Sequence, residues 1–454
     1  MSVKPPMADT SGGPSKTTTA AHGPRRWIGL VAAVALAGGG VVYAVHDRGD
    51  APPTTTATQR RTQAPSAAQL AETARRTAID AILARRAAAV QRGDEKAFLQ
   101  DIDPSEVGLR RAQQTLFANL VELGFRRLEY LQAEERFDQV VIKNHGPSAY
   151  LVRIVMRYQI ADVDAVPVST ELGYTFARRA NRWYLVDDND LDLDLGPSAH
   201  REPWDLGRIE VHRGPRVRVV VEKGDTKRAR LIVAEAKEAL AEVGKYWPLP
   251  WTGTVLVVAL DETEVRDARF ADEDIESAAS ATSTFAEMPG EVTAEGKIGG
   301  AYVVVNPAER DRVDEILLSH EFTHVATARL GGYEPLWLAE GAAEYVSWSG
   351  VEAVSGPNEV LEWEADVIRD AMPALQSLPT DAGFYDKSGD VYGVSWLAVR
   401  FLIKEVGIEK VAQLYTEIAR DGINQISRDR ILTAQTGYTE ASLWLALKKY
   451  QPER

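Results

Sequence analysis

The segment SHEFTH, Ser319–His324, sets two imidazoles four residues apart with a carboxylate beside the first. On a helix, residues at i and i+4 share a face, and two rings on one face can reach a single tetrahedral cation. Glu321 is rotated off that face. It can approach the reacting water there rather than the cation, which is the H-E-x-x-H arrangement of zinc-dependent hydrolysis. The chain has seven histidines (His22, His46, His145, His200, His212, His320 and His324), so none lies downstream of this pair.

A catalytic zinc site needs three protein donors and an open fourth position. With no later histidine and no cysteine in the chain, a downstream third donor must be a carboxylate. The metzincin alternative requires Gly at 327 and His at 330, where this chain has Thr327 and Leu330. The stretch YEPLWLAEGAAEYVSW opens with Pro335, favoured in a first helical turn. Leu336, Ala339, Ala343 and Val346 form its apolar stripe, and Glu340 and Glu344 lie at i and i+4 on the other face. A Gly331–Gly332 turn lets the two helices fold back antiparallel, bringing Glu340 toward His320 and His324.

H-E-x-x-H, a short gap and then WLAEGAAEY resembles the gluzincin (peptidase MA-like) superfamily, nearest to its aminopeptidase N-like group. The resemblance implies Zn²⁺ held by His320, His324 and Glu340, Glu321 as general base, and a peptide or protein substrate. It also implies that Glu344, one turn after the third ligand, orients a ligating histidine, as such ligands require. A tyrosine at the head of a later helix stabilises the oxyanion in that group. Tyr392, opening YGVSWLAVRFLIKEVGIEKVAQLY (392–415), matches it, with Tyr385 as the competing residue. The chain departs from the group in a shorter spacing between His324 and Glu340. It also lacks a Gly-Ala-Met-Glu-Asn-type segment for gripping a free amine; GGAYVVVNP stands in that place, where it could pair with an extended substrate.

The elements that must position these residues follow from periodicity. Residues 309–330 carry Val313, Ile316, Leu317 and Val325 at helical spacing, with Gly331–Gly332 as the expected stop. Upstream, DTKRARLIVAEAKEALAEVGK (225–245) is a strong amphipathic helix. RIEVHRGPRVRVVVEKGD reads as a hairpin, and WTGTVLVVALDE and GGAYVVVNP read as strands. These segments define a zincin-type peptidase domain over 208–454 with a mostly helical C-terminal part. Before it, helical patterns over 67–92, 92–103 and 110–124 give way to period two in RRLEYLQ, DQVVIK, AYLVRIVMRYQI, VSTELGYTFARR and RWYLVDD. Helices followed by strands indicate an α+β accessory domain over 67–190. Its order resembles the nuclear transport factor two-like cone fold, a fold that specifies no function by itself. The fold class expected for the whole chain is α+β.

WIGLVAAVALAGGGVVYAV, residues 27–45, is uncharged for long enough to cross a bilayer once. Arg25 and Arg26 precede it, placing a disordered 1–26 tail in the cytoplasm. A Pro/Thr-rich tether over 46–66 follows. This reading predicts a single N-terminal transmembrane helix, a single-pass cell-membrane location and an extracytoplasmic catalytic domain; a signal cleaved after Ala44, giving a secreted protein, is the alternative.

The formal charge of −14, from 52 basic and 66 acidic residues, argues against a nucleic-acid partner. The absence of cysteine removes disulfides, thiolate metal sites and cysteine nucleophiles. The expectation is a membrane-tethered zinc metallopeptidase. The alternative is a membrane-tethered ligand-binding or assembly protein whose zinc site is structural or vestigial.

Overall fold

The computed structural model describes residues 31–32, 66–136, 138–190, 202–205, 207–251, 253–261, 277–286, 298–308, 310–382, 384 and 390–451. Its centre is a mixed sheet. The elements that build it are β1 (Val31–Ala32), β2 (Phe125–Arg136), β3 (Ala149–Ile160), β4 (Val168–Arg179), β5 (Arg182–Asp187), β6 (Ile209–Gly214), β7 (Val217–Glu222), β8 (Val255–Val258), β9 (Ser277–Phe285) and β10 (Ile298–Val305). They run in the order β2-β3-β4-β9-β10-β8-β7-β6, with β5 beside β4 and β1 beside β9.

Two earlier readings of strands need correction. DQVVIK is not a strand: Gln139–His145 form helix α4, because the Asp138 carboxylate accepts the amides of Val140 and Val141 and so caps a helical turn. GGAYVVVNP is a strand, β10, but it is interior. It pairs antiparallel with β9 along its length and parallel with β8 at Val303 and Val304.

The expected transmembrane helix over 27–45 is overturned, and with it the single-pass location and the membrane anchor. No helix among the described residues is long and apolar enough to cross a membrane. The described residues of that segment, Val31 and Ala32, are extended and pair parallel with Ser277 and Ala279 of β9. Backbone groups engaged in a ladder cannot also close helical i to i−4 bonds. The rest of 27–45 lies outside the described residues, as do the 1–26 tail and all of the 46–66 tether except Ser66.

Before the sheet's first long strand come α1 (Ala67–Arg92), α2 (Glu95–Leu99) and α3 (Val107–Leu123). Ser66 and Gln69 close a reciprocal capping box on α1, and Gly93, with φ of 67°, ends it. α5 (Thr226–Tyr246) links β7 to β8 as a parallel crossover, capped by Asp225. The C-terminal part is helical: α6 (Glu315–Thr327), α7 (Leu336–Ser355), α8 (Pro357–Asp366), α9 (Asp390–Val406), α10 (Ile408–Asp421), α11 (Gln425–Thr436) and α12 (Glu440–Leu447). The long pattern over 392–415 is thus two helices, broken at Gly407, whose φ of 86° suits glycine.

Period-two alternation sorts the sheet into two cores. Val217, Val219, Val255, Val257, Val303 and Val305 face helices α5–α7 and α9. Val220, Leu256, Val258, Tyr302 and Val304 face the other way, into a core shared with Ile79, Leu83, Phe98, Leu120 and Phe176 of the N-terminal part. Trp204 seals that junction. It is buried, packs edge-on against Tyr158 at 5.6 Å, and has its carbonyl held by the Asn119 amide at 2.9 Å.

Candidate metal centre

Helix α6 begins where the Asp314 carboxylate accepts the Leu317 amide at 2.9 Å. Every residue from Leu317 to Val325 is buried, including the polar ones. Helix α7 begins after Pro335, which cannot cap with its side chain; Asp381 reaches over from a later segment and accepts the Leu336 amide at 2.8 Å. Gly331 does more than stop a helix. The helix has already ended at Thr327, and a Cβ on Gly331 would lie 1.7 Å from the Ala419 carbonyl. Ala419 in turn accepts the amides of Gly332 and Tyr333 at 3.0 and 3.1 Å. The double glycine therefore docks the α6–α7 turn onto α10.

These two helices bring three sequence-predicted donors together. Nε2 of His324 lies 3.1 Å from Nε2 of His320. Oε2 of Glu340 lies 3.2 Å from the His320 nitrogen and 3.3 Å from the His324 nitrogen. His320 pairs with Glu340 and Glu344 while His324 pairs with Glu340, an order that runs oppositely along the two helices, as antiparallel packing requires. Glu344 lies on the far side of the His320 ring, its Oε1 3.3 Å from Nδ1. Its Oε2 accepts the indole N–H of Trp348 at 2.9 Å.

The donor triangle fits a metal ion. A tetrahedral set at zinc's usual bond lengths of about 2.0–2.1 Å has edges of about 3.3–3.4 Å, against 3.1–3.3 Å here. Charge fits as well. Glu321, Glu340 and Glu344 stand against two imidazoles, and none of the five is more than 6 % exposed. Without a cation, burial alone would keep His320 neutral, but Glu340 and Glu344 hold it protonated well above the usual histidine range. Burial likewise pushes Glu340 up, and the two histidines overcome this and draw it down to about 2.

Glu321 is different. It is fully buried, and neither carboxylate oxygen has a hydrogen-bond partner among the described residues. Burial raises its carboxyl to about 6, against the pull of the His320 and His324 imidazoles and of the Ala281 backbone amide in β9. A carboxylate buried without a side-chain partner costs on the order of several kcal/mol, which the attraction of the two nearby imidazoles offsets only in part.

Tyr392 sits in the first turns of α9, 3 % exposed, with its ring edge-on to Phe384 at 5.2 Å. Tyr385 lies outside the described residues. The sequence reading missed β9 altogether: SAASATSTF is a run of small residues without an apolar stripe. It also missed Trp348, although Glu340, Glu344 and Trp348 are spaced i, i+4, i+8 on one face.

Among the solved structures similar to this chain are two. One is yeast LTA4 hydrolase in complex with bestatin, at 12 % identity and a TM-score of 0.33, covering 61 % of this chain and 44 % of that one. The other is a two-domain M1 zinc metallopeptidase, a mutant bound to L-tryptophan, at 13 % identity and a TM-score of 0.30, covering 72 % of this chain and 62 % of that one. The chain thus spans less than two thirds of either. Likenesses this slight carry no inference about activity. No family model and no curated protein matches the sequence.

Proposed function

We propose that this chain is a zinc-dependent peptidase. The observation that carries the reading is the triangle of His320, His324 and Glu340, with edges of 3.1–3.3 Å, beside the orphaned carboxylate of Glu321. A bound zinc ion would polarise the scissile carbonyl and favour ionisation of water near neutral pH. His320, His324 and Glu340 would hold that ion, with Glu344 fixing the His320 ring. Glu321 takes a proton from the attacking water as the new C–O bond forms, then gives it to the amine as the C–N bond breaks. Its exclusion from solvent and its raised carboxyl suit a group that must hold a proton briefly. Tyr392, at the head of α9, is the proposed hydroxyl donor to the tetrahedral oxyanion. The 67–190 and 208–454 segments are proposed as accessory and peptidase parts that fold on a common sheet.

The test is metal analysis of the purified protein together with a peptide-library assay. One zinc per chain and chelator-reversible cleavage are expected. Glu321→Gln should retain zinc while losing about 10²–10⁴-fold in turnover. Wild-type turnover in that variant defeats the assignment.

A further inference from the structure

The face of α7 that carries Glu340 and Glu344 continues to Trp348, and the three are linked to the metal centre by atoms already placed. Glu344 divides its two oxygens, Oε1 toward Nδ1 of His320 at 3.3 Å and Oε2 toward the Trp348 indole at 2.9 Å. A carboxylate that orients a histidine is useful only if it is itself held. Without the indole N–H, Glu344 could rotate about its own side-chain bonds and leave Nδ1.

Trp348 is in turn immobilised. Its ring stacks on Trp363 of α8, with centroids 4.2 Å apart and planes at 22°. Trp363 leans on Trp396 of α9 at 4.3 Å, and Trp396 is fully buried. Three helices thus contribute one ring each to a column that ends at the carboxylate behind His320. Trp396 also lies one turn beyond Tyr392 on α9, so the column fixes α7 relative to the helix carrying the proposed oxyanion donor.

We propose that Trp348 is a positioning residue for the metal centre, acting on His320 through Glu344. The inference rests on the zinc-peptidase reading and adds a residue to it. Trp348 touches neither ion nor substrate; its N–H sets the orientation of Glu344, and the ring column sets the orientation of the N–H.

The experiment uses the full-length protein and Zn²⁺ as the probe, with affinity measured by competition against a chromophoric chelator. Trp348→Phe keeps an aromatic ring in the column and deletes the N–H. It should weaken zinc binding by about three- to tenfold, less than the loss usual for the orienting carboxylate itself, while the metal-free protein still unfolds in a single cooperative transition. In a Glu344→Ala background the same substitution should cause no further loss, because its route is already cut. Trp348→His, which retains a ring N–H, should recover part of the affinity. Wild-type zinc affinity in Trp348→Phe overturns the proposal, as does a full additional loss in the Glu344→Ala background. A wild-type protein that binds no zinc overturns the peptidase reading as well, so the two failures are distinguishable.

Discussion

Gly341 touches Ser395: a Cβ at position 341 would stand 2.4 Å from the Ser395 carbonyl oxygen and 2.7 Å from Cγ2 of Val399. The residue after the proposed third ligand therefore lets α7 and α9 cross at backbone distance. The glycine of WLAEG is a packing requirement, and it places Glu340 and Tyr392 on two helices that cannot move independently.

Gly341→Ala should accordingly destabilise the protein by about 1–3 kcal/mol, the usual cost of overpacking, and reduce zinc affinity with it. Gly244 in α5 supplies the contrast, since a Cβ there meets nothing within 4 Å. Gly244→Ala should stabilise by about 0.5–1 kcal/mol through helix propensity. Urea denaturation of both variants checks the pair; equal effects would refute the packing argument.

Zinc should raise the melting temperature of the wild-type protein, because an ion that binds only the folded state adds about 4 kcal/mol at a thousandfold excess over its dissociation constant. His324→Ala and Glu340→Gln should lose most of that shift. A zinc-induced shift of wild-type size in His324→Ala would count against the donor triangle.

A pH effect is expected far from the metal centre. Asp164 lies in the β3–β4 turn, where its Oδ2 accepts the Ile160 amide at 2.6 Å. Burial pushes its carboxyl to about 7, against the opposing pulls of that amide and of Arg218. A folded-state value above the unfolded 3.8 means the folded protein holds the proton more tightly. The associated stability is fully present below about pH 4 and lost as pH rises through about 7. Asp164→Asn mimics the protonated side chain. It should match wild type near pH 4 and exceed it by a margin that grows up to about pH 7 in chemical denaturation; a difference between the two proteins that does not change with pH would rule out this titration.

The clustering of the candidate donors was legible because its determinants are local. His320 and His324 need only a helix, and the lack of any later histidine or cysteine left a carboxylate; the fold brings Glu340 beside them. The helix pair was legible for the same reason. What escaped depends on contacts remote in sequence. An apolar run such as 27–45 records the need for burial rather than a conformation, and its Gly38-Gly39-Gly40 and repeated valines weaken helix propensity. DQVVIK carries strand-forming valines, yet one capping aspartate decides it. β9 announced nothing, because its alanines and serines are chosen by the closeness of α6 rather than by alternation. Trp348 was visible as a residue on the right stripe, but its meaning required Trp363, fifteen positions later by the sequence, to be seen stacked on it.

Strands β7, β8 and β10 are covered on both faces. One side of β7, β8 and β10 supports helices α5–α7 and α9, and the other is roofed by α1–α3 and β2–β5 through Leu256, Val258, Tyr302 and Val304. A gene trimmed to start at residue 208 would strip that roof and present a continuous aliphatic surface to water. Such a product is expected to precipitate rather than yield a smaller hydrolase, and sedimentation of the expressed fragment would show it. The C-terminal half is thus not a detachable cassette, and its minimal heritable unit extends back to the helix that begins at Ala67.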